Sequence, residues 1–108
     1  MLDIYYADFD TTFMPPDPGC LEFAGSIDLD AHRLLAALFD KARQAGADLS
    51  YFDDTLLEPA QVAILLNILL ANEHVLEGNE HALAALHSMR DFLERAAKRG
   101  VGLVAFAD

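Results

Sequence analysis

Residues 101–107 read VGLVAFA, a run with no charge and no hydrogen-bonding side chain. Without polar alternation, so short a run has the pattern of a strand buried on both faces. Gly100 precedes it, and Arg95, Lys98 and Arg99 stand just before that glycine, where positive charge suits the carbonyl end of a helix. The reading is a helix that stops at about residue 99, followed by an interior strand. An interior strand needs partners on both sides, and the N-terminal segment offers them.

Residues 2–8 have strand character, with an isoleucine and two tyrosines. TFMPPDPG, residues 12–19, cannot be a helix interior because three prolines and a glycine interrupt it, so it reads as a stiff connection. CLEFAGSI, residues 20–27, alternates Leu21 and Phe23 with Glu22 and Ala24 and predicts a second strand, paired with the first as a hairpin. Asp28 or Asp30 then caps a helix running to about Ala45. Its apolar face is Leu34, Leu35, Leu38, Phe39 and Ala42, and Gly46 ends it.

LSYF, residues 49–52, predicts a short strand or an extended link. Pro59 fits the first position of a second helix, residues 59–73, which is apolar almost all round and therefore central. A last helix over 80–99 buries Leu83, Leu86, Met89, Leu93 and Ala96 or Ala97. The fold class is α+β in one domain over residues 1–108. A small sheet of about three strands, the N-terminal hairpin plus the C-terminal strand, is covered by three helices.

The chain has 108 residues, 54% of them hydrophobic and 23% charged, enough apolar surface to offset chain entropy. The single cysteine, Cys20, excludes an intrachain disulfide and a multi-cysteine zinc site. No cofactor is expected. The first ten residues carry aspartates where a secretory signal carries positive charge, so the expected compartment is the cytoplasm. AQVAILLNILLA, residues 60–71, falls short of the roughly 20 residues needed to cross a bilayer.

The net charge of −11 is uneven: residues 1–58 hold twelve acids against Arg33, Lys41 and Arg43, and residues 59–108 hold six acids against four bases. Direct binding to nucleic acid or an anionic membrane is disfavoured, and a basic protein partner is the better expectation. Asp8, Asp10, Asp17, Asp53, Asp54 and Glu58 fall at predicted strand ends and loops, where they can converge on one rim. Tyr51, with Tyr5, Tyr6 and Phe13, offers aromatic anchors beside them, although Tyr5 or Tyr6 must face the core. A second copy is the alternative partner if Leu56, Leu57 and the outer face of the 59–73 helix stay exposed. Asn-Glu-His occurs twice at a spacing of seven, ending at His74 and His81. Gly78 and Asn79 read as a helix break and a new cap, so the two histidines flank a turn, and no metal site is assigned.

IYYADFDTT, residues 4–12, resembles the first motif of haloacid dehalogenase-type phosphatases. The resemblance implies Asp8 as nucleophile, Asp10 as general acid and base, Asp53 and Asp54 as magnesium ligands, and Lys41 at the phosphate. That chemistry needs a parallel, doubly wound sheet, and a chain whose aspartates run into a proline-rich loop has no room for one. The second half, from YFDDTLLEPAQVAILLNIL (51–69) to KRGVGLVAFAD (98–108), resembles small acidic immunity proteins that neutralise bacterial polymorphic or contact-dependent toxins. This resemblance covers residues 50–108 and implies a non-enzymatic inhibitor of a basic toxin domain.

Overall fold

The computed structural model describes residues 1–7, 11, 13–19 and 21–107. Strand β1 (Leu2–Tyr6) pairs antiparallel with β2 (Phe23–Ile27) on one side and with β4 (Leu103–Ala107) on the other. A fourth strand, β3 (Thr55–Leu57), lies antiparallel against the far side of β4, giving the order β2-β1-β4-β3. The expected hairpin and the strand inserted beside it are both present. The sheet has one strand more than the expected three, because the extended segment after the second helix pairs at 55–57, slightly beyond the 49–52 stretch.

The helix expected over 28–45 is two helices, α1 (Leu29–Leu34) and α2 (Ala36–Gln44), which break at Leu35, where ψ opens to 13°. The Asp28 carboxylate caps α1 by accepting from the Ala31 amide at 2.7 Å. Pro59 starts α3 (Pro59–Ala71), which ends before a one-turn 3₁₀ helix (Glu73–Leu76). Gly78, at φ 91°, turns the chain, and the Asn79 side chain accepts from the Ala82 amide at 3.1 Å to start α4 (Glu80–Arg99). His74 and His81 therefore flank a turn, as Gly78 and Asn79 suggested.

Alternation sorts the strand residues into two sets. Leu2, Ile4, Tyr6, Ile27, Leu57, Leu103 and Ala105 belong to the core, packed with Leu35, Leu38 and Phe39, with Val62, Leu65 and Leu69, and with Leu86, Met89, Phe92 and Leu93. The helices all cover this face. Phe92 lies so close to Gly25 that a Cβ there would stand 3.0 Å from its ring, so the absent side chain on β2 is what lets α4 settle on the sheet. At Gly102 a Cβ would stand 2.2 Å from the Leu57 carbonyl oxygen, which lets β3 close against β4.

Three packing expectations are corrected. Leu34 is 39% exposed, because the break at Leu35 turns α1 away from the line of α2. The 59–73 helix buries only Val62, Leu65 and Leu69 and leaves Leu70 42% exposed, so it flanks the core instead of passing through its centre. In α4 Leu83 is only half-buried and Ala82, one position earlier, is buried in its place; Ala96 is buried, Ala97 is exposed, and Phe92 joins the core unanticipated.

Candidate protein-binding surface

The other set of strand residues faces away from the helices. Asp3 and Tyr5 of β1, Val104 and Phe106 of β4, and Leu56 of β3 alternate with the core residues by register. Between Ile4 and Tyr5 the β1–β2 register shifts, so that Gly25 opposes Ile4 but Phe23 opposes Tyr5. This bulge brings Phe23 to the same face as Tyr5. Tyr5 stands edge-on to Phe23 at 5.4 Å and edge-on to Phe106 at 5.8 Å, forming a row of three rings across three strands. Phe23 is 55% exposed, while Val104, flanked by Tyr5 and Leu56, is fully buried without joining the helical core. Among the described residues, no helix packs on this face.

Charge follows the same division. All seven lysines and arginines lie in α1, α2 and α4, and none lies in a strand or a loop. On the open face, Asp3 accepts a hydrogen bond from Ser26 at 3.0 Å, which holds the carboxylate beside the aromatic row. Several helical bases are already engaged with acids, Arg99 with Glu22 at 2.9 Å and Arg90 with Glu73 at 3.8 Å. Asp3 is the acid placed on this face, and no strand residue there is a base.

Of the acids singled out in the sequence, Asp8 and Asp10 lie outside the described residues. The others do not gather in one place. Asp54 accepts from the Ala107 amide at 2.8 Å, at the end of the sheet where Leu2 pairs with Ala107. Asp53 accepts from the Ser50 hydroxyl at 3.1 Å in the loop just before β3. Glu58 follows β3 at the opposite end, where Leu57 pairs with Leu103 and the Ala7 amide donates to the Gly102 carbonyl. There the Gln61 side chain accepts from the Glu58 amide at 2.8 Å, the backbone half of a capping arrangement for α3. Asp17 is exposed in the connection from β1 to β2, which leaves the sheet at this same Tyr6 end. Tyr51 and Asp53 line one groove, with His32 and Phe39 on its helical side.

The aromatic anchors divide likewise. Tyr6 is in the core, with the Arg99 guanidinium 4.6 Å from its ring centre, and Tyr5 is on the open face. Phe13 is 79% exposed in the β1–β2 connection. Sequence reasoning missed Phe23 and Phe106 as surface residues. Alternation in CLEFAGSI hinted at Phe23, but only the bulge decides which face it takes. Leu57 is buried and Leu56 half-buried, so the apolar strip proposed for a second copy is reduced to Leu56 and the Leu70 flank of α3.

Among the described residues, no three His, Cys, Asp or Glu side chains come together as a metal site. His87 bonds Glu73 at 2.7 Å, and His81 faces a groove between α1 and α4. The sheet is antiparallel at every pairing, so the parallel core implied by the phosphatase resemblance is not formed by the described residues. No helix there is long and apolar enough to cross a membrane. Comparison with protein-family models, with curated protein sequences and with solved structures finds no significant match.

Proposed function

We propose that this chain is a cytoplasmic inhibitor of the immunity-protein kind, which captures a basic protein, a toxin domain, on the open face of its sheet. The observation that carries this reading is the segregation of charge: every base sits in a helix, while the row Phe23–Tyr5–Phe106, with Phe23 exposed and the other two rings half-buried, shares its face with Asp3 and with no base. A few buried anchor residues, often aromatic, carry most of the binding energy at protein interfaces, and a surrounding negative field steers a cationic partner and rejects an acidic one. That field also opposes a second copy of the chain, whose net charge of −11 repels its own kind. The role needs no cofactor and no metal.

The test is co-expression with the product of a neighbouring gene that encodes a basic toxin domain. Wild type should protect cells and co-purify with the toxin, with association slowing as salt rises. Phe23→Ser combined with Phe106→Ser should lose the complex while keeping the circular dichroism spectrum of wild type. Undiminished protection by that double variant would remove the open face as the contact. Salt-independent association would remove the electrostatic half of the reading.

A further inference from the structure

The groove that holds Tyr51 and Asp53 has a construction of its own. It is a cleft of about 340 Å³ between α2 and the loop leading to β3. Its floor is Phe39, 6% exposed, on which the His32 ring lies parallel at 4.4 Å with 9° between the planes. His32 Nε2 stands 3.4 Å from the Leu49 carbonyl, which ties the ring to the loop. The His32 and Tyr51 ring centres are 5.5 Å apart at 58°, and Phe52 meets Tyr51 at 5.2 Å and 84°. Three rings thus stand at steep angles around one space. Phe52 is 76% exposed, so its ring is open to a guest.

The polar lining is anionic. Asp40, Asp48 and Asp53 line the cleft with a single base, Arg43, which lies 3.5 Å from Asp40 and offsets it. Among the described residues, neither Asp48 nor Asp53 forms an ion pair with a base. Rings set at right angles present more than one π-face to a guest, and a cation between them gains from each ring quadrupole. Two carboxylates beside such rings match a flat cation that can stack and donate hydrogen bonds at once, which describes a guanidinium better than a compact ammonium.

We infer that this cleft receives one arginine side chain of the basic protein partner, its guanidinium against Tyr51 and Phe52 and bonded to Asp53 or Asp48. The inference rests on the proposed function for the source of the arginine, and its test does not need that partner. The full chain would be titrated with Nα-acetyl-arginine methylamide, and separately with the uncharged citrulline analogue, while side-chain NMR signals are followed. Arginine should give saturable shifts centred on His32, Tyr51 and Phe52, and citrulline should give none.

Phe52→Ala should weaken arginine binding by about threefold, the scale of one exposed cation–π contact, and Asp53→Asn should weaken it by a similar factor. Phe52 is exposed, so the Phe52→Ala spectrum elsewhere should match wild type and confirm an intact fold. Equal shifts with citrulline, or shifts spread evenly over remote acids such as Glu77 and Glu80 and unchanged in Phe52→Ala, would overturn the assignment. A cleft that ignores arginine while the toxin still binds would leave the proposed function standing without this contact. A cleft that takes arginine in a chain that binds no toxin would do the reverse.

Discussion

The two faces of the sheet are made from alternate residues of the same four strands, yet they obey different rules. On the helical face, Leu2, Ile4, Leu57 and Leu103 are all at most 2% exposed and are held by side chains from three sides. On the open face, the rings of Tyr5, Phe23 and Phe106 touch mainly one another, and Asp3 sits among them. A residue moved from one set to the other by a single register step would exchange a packing role for a binding one. On the proposed reading, stability resides on one side of each strand and recognition on the other, and substitutions should separate the two.

The largest effect belongs to the strand that both faces share. Deleting residues 101–108 removes β4 from between β1 and β3 and strips partners from both. The product should be insoluble or molten, judged by loss of near-ultraviolet circular dichroism. A soluble truncation with an unchanged melting profile would show that the core does not depend on β4.

Neighbouring positions on the two faces come next. Ile4→Ala should cost about 2–5 kcal/mol, since it empties a fully enclosed site. Phe23→Ala, at an exposed position with one ring contact, should cost about 1 kcal/mol or less while weakening capture of the partner. Urea denaturation of both variants measures the contrast. Equal losses would mean that the open face is a second core and not a surface held ready.

Helix boundaries were legible in the sequence because each has a local chemical marker. Asp28, Gly46, Pro59, Asn79 and Gly100 all stand where a cap or a stop was expected. The break at Leu35 carries no such marker, having neither glycine nor proline, and is set by how α1 and α2 meet the core. Continuous apolar sequence in β4 suggested cover on both sides, but Val104 is buried among residues of the sheet and not under a helix. The acids show the same limit. Asp53 and Asp54 are adjacent in sequence and bond to partners far apart in the chain, Ser50 and Ala107. Nothing local links His32 to Tyr51, so the cleft they share was invisible before the chain was folded.

The smallest expected effect separates those two adjacent acids. Asp54→Ala removes the acceptor of the Ala107 amide and should cost about 1 kcal/mol, the scale of one hydrogen bond. Asp53→Ala, exposed and bonded only to a nearby hydroxyl, should stay within about 0.5 kcal/mol of wild type. Thermal melts resolve the difference. Identical melting would put both carboxylates among the free surface charges.

The pairing of Leu2 with Ala107 has a kinetic consequence. The central ladder of the sheet joins segments about a hundred residues apart, so its first contact must close a long loop. Helices can form early from local contacts, but they have no finished surface to rest on until that closure is made. The rate-limiting event is then the meeting of two remote strands, and folding should be slow for a protein with this much helix. Until it occurs, the facing edges of β1 and β4 are unpaired and open to other chains, which makes the interval before closure the time when this protein is most prone to aggregate.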